Sequence, residues 1–143
     1  LVVKRDCPTC TLIEPEVRKL VESGDFGHNF RIHIQDDPSY LSDLSQSVSD
    51  ASLESSYRLK IETVPTLIRF EKGEETSRSV GWVPEEWSQL LNDSMFGELL
   101  PESRPGCGSL TVMPGAQETL DARFGDLPLN SRTIEIGEFD DPI

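Results

Sequence analysis

The 143 residues, 36% of them apolar and 27% charged, are enough for one compact domain with a real core. Thirteen Lys and Arg stand against 26 Asp and Glu, a net charge of −13, so nucleic acid and anionic membranes are excluded as expected partners. No apolar run approaches the roughly 20 residues a membrane helix needs. Three cysteines are too few for a disulfide scaffold and must be read singly.

Leu1-Val2-Val3 reads as a buried strand with no start methionine before it, so the sequence reads as a piece of a longer protein. The pattern of a secretory signal is not visible, and the compartment stays open with the cytoplasm favoured. Pro8 to about Ser23 predicts a helix closing at Gly24, with Leu12, Ile13, Val17, Leu20 and Val21 on one face. Pro15 lies inside it and predicts a kink. Alternation over Phe30–Ile34 predicts a strand with Phe30, Ile32 and Ile34 buried and with Arg31 and His33 on a solvated face.

Asp37 to Asp50 is polar and serine-rich, and Asp50 reads as an N-cap for a short helix carrying Leu53 and Tyr57. Val64–Phe70 reads as a strand opening at Pro65, where a missing N–H does least harm. Glu71-Lys72-Gly73-Glu74 turns it into an antiparallel return over Thr76–Val80. Pro84 suits the first position of a helix carrying Trp87, Leu90 and Leu91. The predicted fold class is α/β, a central mixed sheet flanked by helices.

Residues 1–100 hold five Gly and five Pro, and residues 101–143 hold the same numbers in 43 positions. That density of chain breakers divides a domain over 1–96 from an irregular, extended arm or linker over 97–143. Short apolar pieces at Leu110–Met113, Leu120–Phe124 and Thr133–Ile136 would order the arm in part, and would permit a homodimer through it.

The chemistry is expected at Cys7-Pro8-Thr9-Cys10. Cys7 falls at a helix N-terminus, where unpaired N–H groups and the dipole favour a thiolate. Cys10 lies one turn further in, within bonding reach and less exposed. Such a pair exchanges electrons: Cys7 attacks a disulfide and Cys10 resolves the mixed disulfide. Lys4 and Arg5 favour the thiolate and Asp6 disfavours it. The bland readings are two structural cysteines, or a zinc site completed by Cys107 with His28 or His33; no second C-x-x-C or H-x-x-x-H accompanies the first, and no metal or cofactor is expected.

Cys7-Pro8-Thr9-Cys10, Pro15, the Val64-Pro65-Thr66 strand start and the Lys72-Gly73 turn before Val80-Gly81 resemble the thioredoxin fold over about residues 1–93. The resemblance implies a three-layer fold and a thiol–disulfide oxidoreductase. It also implies a cis Pro65 against the cysteines, and Pro8, Thr9, Val64 and Pro65 shaping a site where Val64 pairs with an extended substrate. Partners would be protein or small-molecule thiols and disulfides. The alternative is a thioredoxin-fold interaction or regulatory module whose cysteine pair is structural or sensing. Thioredoxins proper carry a buried acid and a tryptophan where this chain has Leu1 and Asp6; without that acid, Glu14 or water would have to deprotonate Cys10.

Other residues invite weaker readings. Cys107, in Arg104-Pro105-Gly106-Cys107-Gly108-Ser109, sits in a flexible, exposed context; it is either an incidental thiol or a third redox thiol. His28 lies in a loop and carries no partner signal. Trp82 suggests core packing. Asp36-Asp37 and Glu85-Glu86 read as solvated or helix-start charge.

Overall fold

In the computed structural model, which describes residues 1–125, a five-stranded mixed sheet is built around the first strand of the chain. The elements are β1 (Val2–Val3), α1 (Pro8–Ser23), β2 (Ile32–Ile34), β3 (Ser47–Ser49), α2 (Glu54–Arg58), β4 (Thr63–Val64), β5 (Thr66–Glu71), β6 (Glu74–Val80), α3 (Pro84–Leu91), β7 (Cys107–Gly108) and α4 (Ala116–Phe124). The sheet order is β3-β2-β1-β5-β6, and β4 pairs separately with β7. β1 runs parallel to β2, and β2 to β3, because α1 and a long loop carry the chain back across the sheet. β5 lies antiparallel to β1 and to β6, the latter through the tight turn at Lys72-Gly73. The α/β class and the mixed sheet agree with the sequence reading, and the layering is compatible with a three-layer fold.

The helices follow their local chemistry. α1 begins with Pro8 in its first turn and ends where Gly24 takes a left-handed φ of 75°, and it runs on through Pro15. Its buried stripe is Thr9, Cys10, Ile13, Val17 and Leu20. α3 packs on β5 and β6. Its Trp87 stacks on Phe96 at 5.8 Å and meets Trp82 edge-on at 5.2 Å, and neither tryptophan has any exposure. Such ring pairs are each worth about 0.5–1.5 kcal/mol beyond their burial. Gly97 is required beside them, since a Cβ there would lie 2.6 Å from Trp82 Cζ2.

Four sequence expectations are corrected. β3 was not expected in the serine-rich stretch; it pairs through its backbone with β2, which no apolar alternation announces. The strand expected over Phe30–Ile34 is confined to Ile32–Ile34. His33 is buried, 3% exposed, because β2 lies inside the sheet between β1 and β3 and is covered on both faces. Asp50 does cap α2, but from before its first turn. Its carboxylate accepts from the backbone N–H of Ser55 and Ser56, both at 3.0 Å, while Leu53 in a left-handed conformation occupies the N-cap position itself.

Residues 97–125 are folded onto the body rather than strung out from it. Leu100 packs on the core, Ser109 has no exposure, and Thr111, Leu120 and Phe124 are buried. A buried polar cluster holds this stretch. Gln35 Nε2 donates to the hydroxyls of Ser56 and Ser109 at 2.9 and 2.7 Å, and Gln35 Oε1 accepts from the Leu110 N–H at 2.9 Å. Thr111 donates to the Ile61 carbonyl at 2.5 Å. The Gly and Pro density there reflects tight turns and close approaches. Thr133–Ile136 and the rest of the expected arm lie outside the described residues.

Candidate functional site

The extended backbone of Cys7 (φ −155°, ψ 112°) makes it the N-cap of α1. Its carbonyl accepts the Thr11 N–H at 3.0 Å, and its sulfur accepts the Cys10 N–H at 3.3 Å. The sulfur thus takes the place that a serine or aspartate oxygen commonly fills, on an otherwise orphaned donor. Pro8 at the first helical position leaves no N–H to compete. Cys10, one turn on, is 1% exposed.

These contacts separate the two thiols. The Cys10 thiol hydrogen-bonds to Cys7 and lowers its pKa most. Burial opposes that, and the Cys107 thiol with the backbone N–H groups of Cys10 and Thr9 completes a fall to about 5. Cys10 moves the other way, pushed far up by its bond to Cys7 and then by burial. Of the two, Cys7 is the more acidic thiol and Cys10 the one that holds its proton.

The charged neighbours expected to tune Cys7 are engaged elsewhere. Lys4, 6% exposed, donates to the Gly108 carbonyl at 2.7 Å, and Arg5 pairs with Asp37 at 2.7 Å. Asp6 is exposed. Its N–H and that of Arg5 donate to the two oxygens of Asp36, at 2.9 and 2.7 Å. Asp36 thereby braces the loop that delivers Cys7, a role its reading as plain surface charge overlooked. Glu14, considered as a base for Cys10, has one oxygen on Arg18 Nε at 3.0 Å and the other on the Tyr40 hydroxyl at 3.1 Å.

Between β4 and β5 the Val64–Pro65 peptide is cis. The Val64 carbonyl oxygen lies 3.7 Å from Cys7 Sγ, within reach of a thiol donor, and Val64 and Pro65 are both fully buried. Sequence-distant residues 7, 10, 64 and 65 therefore meet in one place.

Cys7 itself departs from expectation. It was expected to be the more open of the two thiols, yet it is 2% exposed, as closed as Cys10. The segment Arg104–Gly108 lies over it. Arg104 and Trp82 exchange backbone hydrogen bonds, both 2.8 Å, and Thr9 Oγ1 donates to the Pro105 carbonyl at 2.7 Å. β7 then pairs antiparallel with β4, Cys107 opposite Val64 and Gly108 opposite Thr63. Gly106 is the close approach: a Cβ there would collide with the Val64 carbonyl oxygen and lie 2.6 Å from Thr63 Cγ2. The expected flexible context of Cys107 is thus an ordered strand, and Cys107 is half-buried. The glycines flanking it carry the signal, since glycine marks close backbone contact as readily as flexibility.

The remaining candidates fall elsewhere. Trp82 is a core residue whose Nε1 donates to the Pro101 carbonyl at 2.9 Å. Glu86 accepts from the Ser79 hydroxyl at 2.7 Å in the first turn of α3. His28 belongs to a 3-10 turn, Gly27–Asn29. His33 lines a separate apolar hollow with Leu1, Phe30, Leu67 and Leu90, one that none of the cysteines borders. Among the described residues no group of three or more His, Cys, Asp and Glu side chains is arranged to hold a metal ion, and no helix is long and apolar enough to cross a membrane. Comparison of the chain with protein-family models, with curated proteins and with solved structures found no match.

Proposed function

We propose that the protein is a thiol–disulfide oxidoreductase of thioredoxin-like fold, with Cys7 as the attacking thiol and Cys10 as the resolving thiol. The observation that carries this reading is the Cys7 sulfur at the N-terminus of α1, hydrogen-bonded by Cys10 and beside the cis Val64–Pro65 peptide. The Cys7 thiolate attacks one sulfur of a protein or small-molecule disulfide and expels the other as a thiolate. Cys10 then loses its proton and attacks Cys7 Sγ, releasing the second substrate thiol and leaving a Cys7–Cys10 disulfide. The substrate is reduced by two electrons and the protein is oxidised by two.

The burial of Cys7 favours a second reading, a thioredoxin-fold interaction or regulatory module in which the pair is a structural element. Equilibration in thiol buffers separates the two. A catalytic couple forms the Cys7–Cys10 disulfide reversibly between about −270 and −120 mV, whereas a structural one lies below about −300 mV and resists glutathione. Cys7→Ser should also abolish reduction of an insulin-type disulfide, and undiminished activity in that variant would remove the catalytic reading.

A further inference from the structure

Three thiols converge at the N-terminus of α1, and the oxidoreductase reading uses only two of them. The third is brought there by a backbone arrangement with its own logic. An extended peptide that binds by strand addition donates and accepts through its main chain and presents one side chain to the reactive centre. Arg104–Gly108 does this to Val64 from within the same chain. It is fastened at Trp82, at Thr9, along β4 and at Lys4, and a further bond runs from the Ser109 N–H to the Glu62 carbonyl at 3.0 Å. It passes so close that only glycine fits at position 106.

We propose that Arg104–Gly108 is a tethered substrate strand and that Cys107 is the third redox centre, exchanging a disulfide with Cys7 inside the chain. The inference rests on the reading of Cys7 as an attacking thiol and assigns the route by which that buried sulfur meets its substrates. With Cys7 closed and Cys107 half-open, an external disulfide reaches Cys107 first. Cys107, whose thiol is pushed up by burial and then by Cys7, gives up its proton and attacks one sulfur of that disulfide, forming a mixed disulfide and expelling the other sulfur, which takes up that proton. Cys7 attacks Cys107 Sγ, forms the Cys7–Cys107 disulfide and releases the second external thiolate, which takes up a proton. Cys10 then attacks Cys7 Sγ, giving Cys7–Cys10 and returning Cys107 as a thiol. One external disulfide becomes two thiols, and the protein's dithiol becomes one disulfide; every step is reversible. Cys107 also bears on the acidity of its neighbour: it helps to lower the Cys7 thiol, while Cys107 is itself pushed up, by burial first and then by Cys7.

Cys10→Ser, with Cys7 and Cys107 intact, is the test. A serine hydroxyl still donates to Cys7 but cannot resolve a disulfide, so the exchange stops one step early. Incubation with oxidised glutathione, acid quenching and peptide mapping should give an intrachain Cys7–Cys107 disulfide that retains no glutathione. Its yield should not change on dilution, since a tethered thiol acts at an effective concentration of about millimolar or more. Glutathione held stably on Cys7 beside a free Cys107, or a Cys107–Cys107 bond between chains, would overturn the proposal. The parent protein distinguishes the two levels. If it still forms Cys7–Cys10 while the variant fails to form Cys7–Cys107, the tethered strand falls and the oxidoreductase reading stands; if Cys7 forms no disulfide in either protein, both fall. Gly106→Ala in the Cys10→Ser background supplies the second arm, with folding checked by circular dichroism. A methyl at that position should push the strand off Val64 and convert the intrachain disulfide into a glutathione adduct on Cys7; an unchanged yield of Cys7–Cys107 would count against the paired strand.

Discussion

The Thr9 hydroxyl donates to the Pro105 carbonyl oxygen at 2.7 Å, across 96 positions of sequence, so the dipeptide between the two helix cysteines is tied to the strand that covers them. Pro8 and Thr9 are expected from the sequence to shape a substrate site; in the structure Thr9 holds a piece of its own chain. Lifting the covering strand off Cys7 would break this bond.

Thr9→Val keeps the shape of the side chain and removes this donor. A hydrogen bond of this kind is worth about 1 kcal/mol net, and a change of that size moves an opening equilibrium by about fivefold. Alkylation of Cys7 at fixed pH is therefore expected to speed up about fivefold. The rate for Cys107, already half-exposed, should change little. Equal acceleration at both thiols would mean that the whole fold had loosened.

The separation of Cys7 from Cys10 predicts both a titration and a potential. Thiolate absorbance of the reduced protein should rise through a midpoint near 5, and Cys7→Ser should remove that step. The sign for stability follows from the same shift. The folded pKa lies below the ordinary thiol value of 9.0, so the stabilisation is complete above 9.0 and is lost as the pH falls through about 5. Because an anion held this well stabilises the dithiol form, the Cys7–Cys10 couple should be more oxidising than about −270 mV, toward the −120 mV of a strong dithiol oxidant. A potential at or below −270 mV in a glutathione or dithiothreitol titration would contradict the link between the thiolate and the couple.

Gln35 is the central fastener of the stretch that carries Cys107, being 1% exposed and bonded to Ser56, Ser109 and Leu110. Gln35→Leu preserves bulk but leaves the Leu110 N–H without its acceptor, while the Ser56 hydroxyl keeps Asp50 and the Ser109 hydroxyl keeps Thr111. One buried group left without a partner costs about 1–3 kcal/mol, and a loss of that size is expected. Urea denaturation should show this as a lower midpoint at unchanged slope. An unchanged midpoint would mean that Gln35 contributes no net stability.

Features governed by local chemistry were legible in the sequence. Pro8, Gly24 and the apolar stripe announced α1, Lys72-Gly73 announced the hairpin, and the spacing of Cys7 and Cys10 announced one turn of helix between two sulfurs. Features that depend on what covers a residue were not. Alternation at Ile32-His33-Ile34 says that a strand is there, but a strand covered on both faces of its sheet has no wet side, and alternation cannot report that cover. The same rule hid Cys107. Arg-Pro-Gly-Cys-Gly looks loose until Thr63 and Val64, more than 40 positions earlier, are known to lie beneath it. Asp36 reads from sequence only as solvated charge, and Gln35 carries no signal at all, because a polar side chain reveals its partners only once the chain has folded.

His33 gives the most direct check on that lesson. Burial, with Arg31 adding to it, lowers its pKa from the usual 6.5 to about 3. The unfolded chain takes up a proton near pH 6.5 and the folded chain does not until about pH 3. Folding is therefore favoured fully above the upper value, and stability falls as the pH drops through the window between them. The slope contributed there is about 1.4 kcal/mol per pH unit. Thermal unfolding between pH 7 and pH 4 should show a falling midpoint, and His33→Gln, which cannot take up that proton, should flatten the fall after the cost of the substitution itself is subtracted. A parallel pH dependence in both proteins would show that His33 is not the group protonated on acid unfolding, and would return the fall to the carboxylates on the surface.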